Sequence, residues 1–67
     1  MPRRITNVGD AIYDRRMFLN ISQQAAGDRI GMKREQWSLI EGNLVSPTVK
    51  TLLRIAKALK CDVRTLV

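Results

Sequence analysis

Lys33, Arg34, Glu35, Gln36 and Ser38 crowd hydrogen-bonding side chains into one short stretch, and Trp37 and Ile40 stand among them. Apolar residues three apart anchor one face of a helix, which leaves the polar side chains to reach outward for a partner. Other chemistry is poorly provided for. The chain has no histidine and a single cysteine, so the usual acid–base residue is missing and an internal disulfide is ruled out. No Cys/His ligand set for a metal and no nucleophile–base pair is visible. An enzyme is not expected, and no cofactor or metal is implied. Cys61 closes an apolar-periodic stretch and reads as a small buried apolar residue rather than a reactive thiol.

The whole chain is only 67 residues long. One domain of that size buries about 60% of its unfolded surface, which leaves little room for an enclosed active site. A flat or protruding binding surface, completed by a second copy, fits better. An apolar content of 45% argues against disorder throughout. No apolar run approaches a membrane span, and Met-Pro-Arg-Arg leads into polar residues instead of a signal-peptide core, so a cytoplasmic location is expected. Twelve Lys and Arg against six Asp and Glu give +6, which favours a polyanionic partner, nucleic acid or an anionic surface. The surplus is uneven: four cations face two acids in residues 1–20, three face three in 21–45, and five face one in 46–67. The polar stretch that opened the question is neutral.

The elements that position these residues are short helices. Residues 1–6 form a basic arm, and 7–67 form the domain. Asn7 caps a first helix with Asp10 in its first turn; Val8, Ile12 and Leu19 make its buried stripe, Arg15 and Arg16 interrupt it, and Asn20 ends it. Ser22 caps a second helix, Gln23 to Ile30, which stops at Gly31. A third runs from Arg34 to Glu41, with Lys33 a poor cap, and Gly42-Asn43 ends it with residues tolerant of positive φ. Pro47 and Thr48 open a fourth, with Val49, Leu52, Leu53, Ala56 and Leu59 as its apolar stripe and Lys50, Arg54, Lys57 and Lys60 outside. Asp62 caps a last turn in which Val63, Leu66 and Val67 cover the core. No segment alternates with period two, so the expectation is an all-α chain of five short helices.

Two short helices joined at a glycine, the second with a polar outer face, describe a helix-turn-helix. In order, Ser22-Gln23, the turn at Gly31, Ile40-Glu41, Ser46-Pro47 and "TLLRIAKAL" over Thr51–Leu59 make the chain similar to the Cro/phage-repressor family, whose fold is lambda-repressor-like. The resemblance begins at about Val8. It implies a DNA-binding transcriptional regulator, bacterial or phage, in which the third helix enters the major groove and the second crosses the backbone. By that resemblance Lys33, Arg34, Glu35, Ser38 and Leu39 face base edges. Arg16, Ser22, Gln23 and Lys50 hold the DNA backbone, together with Arg3 and Arg4 of the arm. Trp37, Ile40, Gly31 and Glu41 are structural, and Arg16 pairs with Glu41.

The chain departs from the family at several points. Ala26 and Gly27 stand where a leucine and an alanine are usual, and Trp37 replaces a β-branched aliphatic residue. An unfilled Leu-to-Ala deletion costs about 2–5 kcal/mol, so Trp37 is expected to occupy the vacated volume; the rival is an exposed Trp37 acting as a contact. Gly42-Asn43 inverts the common Asn-Gly and removes a phosphate contact at position 42. Leu44 and Val45 replace frequent basic residues, which makes either a packed loop or an apolar patch for a second copy or another protein. Leu39 replaces a polar base reader and suits a thymine methyl.

Two functions follow. One is a repressor binding an inverted-repeat operator in double-stranded DNA as a homodimer, with Leu44, Val45, Leu66 and Val67 as the apolar dimer contacts and no membrane partner. The other is a module that keeps the fold but pairs with another regulator or a toxin.

Overall fold

Three helix starts in this chain are set by hydroxyl or carboxylate side chains that turn back onto the backbone. In the computed structural model, which describes residues 8–66, there are five helices and, among those residues, no strand: α1 (Val8–Phe18), α2 (Gln23–Asp28), α3 (Arg34–Glu41), α4 (Val49–Ala58) and α5 (Val63–Leu66). Ser22 Oγ accepts from Ala25 N at 3.0 Å and Thr48 Oγ1 from Thr51 N at 3.1 Å, so two of the expected caps are in place. Asp62 Oδ1 accepts from Arg64 N at 2.8 Å and opens α5. Lys33 makes no side-chain cap to α3. The arm with Arg3 and Arg4, the Asn7 cap and Val67 lie outside the described residues.

The ends follow an equally simple rule. Asn20, Gly31, Asn43 and Lys60 have φ of 57°, 67°, 62° and 54°, one shortly after each of the first four helices. A left-handed residue there reverses the chain and frees the last carbonyls for capping bonds. The second helix is shorter than expected, ending at Asp28 rather than Ile30. The Gly27 carbonyl accepts from both Ile30 N and Met32 N, which curls residues 29–31 into the turn.

The core is drawn from all five helices: Val8, Ile12, Ala26, Trp37, Ile40, Leu52, Ile55, Ala56, Ala58, Leu59 and Leu66. Leu19 and Val63 pack partly buried at its edge. Burying each valine, leucine or isoleucine of this set contributes about 1.5–3 kcal/mol, and the three alanines less. The face of α4 corrects the expected stripe, because Val49 and Leu53 are exposed while Ile55 and Ala58 are buried. Leu52, Ile55, Ala56 and Leu59 keep the helical spacing with the face turned toward Ile55, so Val49 and Leu53 fall at its margin. Cys61 is half-buried against the core, and burial pushes its thiol pKa up. No helix among the described residues is long and apolar enough to cross a membrane.

Candidate nucleic-acid interface

Val8, Ile12 and Arg16 recur every four residues on α1, and all three are buried. The helical period therefore carries a guanidinium into the interior, where it needs partners for its charge. It finds them at the end of α3. Arg16 Nε donates to Glu41 Oε2 and Nη2 to Glu41 Oε1, both at 2.8 Å, while Nη1 donates to the Ile21 carbonyl at 2.8 Å. The Arg16 guanidinium also lies over Tyr13, whose ring centroid is 5.4 Å from the guanidinium carbon.

Glu41 collects two further donors. Gln23 Nε2, at the start of α2, donates to Oε1 at 3.0 Å, and Trp37 Nε1 donates to Oε2 at 2.7 Å. One carboxylate thus ties α1, α2 and α3 together. Burial by itself raises the Glu41 pKa, but hydrogen bonds from Arg16, Trp37 and Gln23 outweigh it and hold the group below its ordinary value. The same pairing raises Arg16.

Trp37 is 1% exposed, as the compensation argument requires and the exposed alternative does not. The account of Gly27 needs correction. A Cβ at Gly27 would sit 2.5 Å from the Met32 carbonyl oxygen, so the close return of the turn, rather than the indole, excludes a side chain there. Of the two small residues, it is Ala26 that belongs to the buried hydrophobic cluster with Trp37.

The residues expected at base edges form the outward side of α3. Lys33, Arg34, Glu35 and Leu39 are exposed and Ser38 is half-buried. Among the described residues, no hydrogen bond or ion pair within the protein engages the Lys33, Arg34 or Glu35 side chains, so they are available to a partner. Lys50 is exposed in the same way. Ser22 uses one lone pair on the α2 cap and keeps its hydroxyl proton. Gln23 is half-buried and bound to Glu41.

Sequence reasoning missed two contacts that set this geometry, the close approach of Gly9 and the reach of Asn43, although it read Asn43 correctly as a positive-φ helix end. Gly9 lies so close to the end of α3 that a Cβ would clash with the Glu41 carbonyl oxygen and stand 2.5 Å from that of Ile40. Asn43 then reaches back: its Oδ1 accepts from Gly9 N at 2.9 Å and its Nδ2 donates to Asp10 Oδ1 at 3.2 Å. The inverted Gly42-Asn43 order therefore ties α3 to the start of α1. A lone glycine near a helix start was the available signal for the close approach. Asp10, Tyr13, Asp14, Gln23, Ser38, Glu41 and Gly42 line an open groove beside this contact. Its exposed carboxylates, Asp10 and Asp14, disfavour a phosphate in that groove.

Much of the positive charge is used inside the protein. Arg15 donates to the Leu59 and Lys60 carbonyls at 3.0 Å each and Arg29 to that of Ala58 at 2.7 Å, so both complete the C-terminus of α4. Arg54 similarly donates to the Ile30 carbonyl after α2. Cations suit helix C-termini because of the helix dipole. Arg54 is therefore more than part of a solvated stripe. Leu66 is buried and is withdrawn as a dimer contact, whereas Leu44 is 76% exposed, which rules out the packed-loop alternative.

Two helices crossing at a tight glycine turn, the second presenting free polar side chains, define a helix-turn-helix DNA-binding domain. The helix-turn-helix family model matches residues 12–66, and the chain belongs to that family in its Cro/CI-type form. It is a DNA-binding regulator of transcription by class. No curated protein matches it in sequence. The P22 c2 repressor in complex with the synthetic operator 9T superposes with a TM-score of 0.81 at 33% identity, covering 90% of this chain and 91% of that one. The DNA-binding domain of the P22 c2 repressor in solution gives 0.85 at 31% identity, covering 96% and 84%. The restriction-modification controller protein C.AhdI from Aeromonas hydrophila gives 0.88 at 21% identity over 94% and 96%, a likeness of fold.

Proposed function

We propose that the chain is a repressor that binds an inverted-repeat operator as a homodimer. The observation that carries this is the outward face of α3, where Lys33, Arg34 and Glu35 are exposed and unengaged while Glu41 fixes the helix from behind. The likeness to a repressor bound to a synthetic operator at 33% identity supports it.

In this reading α3 lies in the major groove. Arg34, in the first turn of α3, approaches a guanine edge. Glu35 accepts from a cytosine amino group, and Leu39 meets a thymine methyl. Lys33 and Ser38 complete the base-facing set. Ser22 and Gln23 hold phosphates at the start of α2, Lys50 holds one from α4, and Arg3 and Arg4 add the arm's charge. Such contacts orient the protein without reading sequence. Arg16 has a narrower part: three of its five N–H donors are bonded within the protein and the residue is 8% exposed. It touches a phosphate only with the edge that remains.

A second reading is supported by exposed Leu44, Val49 and Leu53, which suit an interaction module acting on another regulator or a toxin. Selection from a randomised duplex library at several salt concentrations separates the two. Enrichment of a spaced palindrome supports the repressor. Recovery at background level supports the interaction module.

A further inference from the structure

We propose that Trp37 is a positioning residue for the DNA-facing start of α2, acting through Glu41 on the amide of Gln23; the DNA part of this rests on the regulator reading above.

An indole N–H can only donate, and a carboxylate has about four lone-pair sites. At Glu41 all four are taken. Oε1 receives Arg16 Nη2 and Gln23 Nε2, and Oε2 receives Arg16 Nε and Trp37 Nε1. Arg16 grips both oxygens as a fork and is itself held at the Ile21 carbonyl. The remaining freedom of the carboxylate is rotation within that fork. Trp37 draws on one oxygen and Gln23 on the other, so the two donors balance each other.

The consequence reaches Gln23. Because Glu41 accepts and does not donate, Gln23 must turn Nε2 inward, which leaves its second N–H and its amide oxygen for the outside. The Gln23 side chain is half-buried and its only hydrogen bond among the described residues is to Glu41. Arg16 has several anchors, so Gln23 is the mobile member. Without the indole donor, a buried lone pair on Oε2 stands unpartnered, the carboxylate turns to recover a bond, and Gln23 loses its fixed orientation.

The test compares wild type with Trp37→Phe and with a synthetic chain carrying benzothienylalanine at position 37, which keeps the indole shape without the N–H. Side-chain amide signals of Gln23 are followed by NMR. Affinity for a fluorescein-labelled mixed-sequence duplex is measured over a range of salt, alone and combined with Gln23→Ala. In both replacements the Gln23 amide protons should shift and exchange faster with solvent. Duplex affinity should fall about three- to tenfold and the salt slope should flatten by about one unit per subunit. In the Gln23→Ala background the replacements should cost nothing more, because the effect runs through that residue. Unchanged Gln23 signals, or full additivity with Gln23→Ala, overturn the proposal. A wild-type chain that binds no duplex overturns the regulator reading and the DNA-facing role of Gln23 with it, while the amide signals still decide whether Trp37 holds Gln23.

Discussion

Arg16 and Glu41, 25 residues apart in sequence, meet as a two-bonded fork with both N–O distances 2.8 Å. The pair joins the last turn of α1 to the last residue of α3. Removing one partner from a buried ion pair leaves the other charge uncompensated, at a cost of about 3–5 kcal/mol. That is a large share of the about 5–15 kcal/mol that holds a domain together.

Glu41→Gln should therefore destabilise the protein by about 3–5 kcal/mol at neutral pH and change its response to acid. The folded Glu41 pKa lies below the ordinary carboxylate value of about 4.3. Its stabilising contribution is complete above that value and is lost as pH falls through the depressed folded pKa. Denaturation curves at descending pH should show a shallower acid limb in Glu41→Gln. The exposed Asp62–Arg64 pair titrates in both proteins and cancels from the difference. Parallel acid limbs would remove Glu41 as the source.

Gly9→Ala tests the contact between α1 and α3. The new methyl would meet two backbone carbonyl oxygens, which cannot rotate away as a flexible side chain can. The helices must separate, straining the Asn43 bond to Gly9 N as well. Overpacking of this kind costs about 1–3 kcal/mol, and chemical denaturation should find at least that loss. A variant as stable as wild type would show that α1 approaches α3 less closely.

The helices themselves are legible in the sequence. Ser22, Thr48 and Asp62 have the chemistry of caps, and Val8, Ile12, Trp37 and Ile40 keep helical spacing. Arg16 and Glu41 are legible only as a pair, through the family pattern, since periodicity alone makes Arg16 an interruption. Three things are hidden for physical reasons. The face of α4 is ambiguous because Val49, Leu52, Leu53, Ile55, Ala56, Ala58 and Leu59 offer two overlapping stripes, and only packing chooses between them. The Gly9 contact with Ile40 and Glu41 and the reach of Asn43 to Gly9, 34 residues apart, are beyond any local rule. The inward use of Arg15, Arg29 and Arg54 depends on where helix ends lie in space, so a charge count overstates the cations free for DNA.

Arg29→Ala separates those internal cations from external ones. Its guanidinium bonds the Ala58 carbonyl at the end of α4, and a hydrogen bond to a charged group contributes about 1.5–3 kcal/mol when well made, less where solvent reaches it. The thermal midpoint should drop. The salt slope of duplex binding should stay as in wild type. A slope flattened by about one unit would make Arg29 a phosphate contact instead.

Leu44→Glu bears on association. With Leu66 buried and Val67 outside the described residues, Leu44 and Val45 are the described exposed residues among the expected dimer contacts. In the proposed homodimer, a charge at Leu44 should shift sedimentation toward the monomer while leaving the fold intact, because Leu44 is already largely exposed and lies outside the buried cluster. Operator affinity should fall with it, since two copies are needed to span half-sites about 34–36 Å apart. An unaltered dimer would place the contact elsewhere on the surface.

Arg34→Ala and Lys50→Ala test how the proposed reading divides the work on DNA. Arg34 stands in the first turn of α3, exposed and without a partner in the described structure, with its neighbour Glu35 also unengaged. A bidentate arginine–guanine contact contributes about 1–3 kcal/mol of discrimination, so Arg34→Ala should relax preference at one base position of each half-site and leave binding to other sequences nearly unchanged. Lys50 opens α4 as a point charge, which suits a phosphate and carries no base information. Lys50→Ala should weaken every sequence alike and flatten the salt slope by about one unit per subunit. Both variants can be run through one randomised duplex selection at two salt concentrations. An Arg34→Ala protein that loses affinity equally for all sequences would make Arg34 a backbone contact, and the reading of the operator would then rest on Glu35, Ser38 and Leu39.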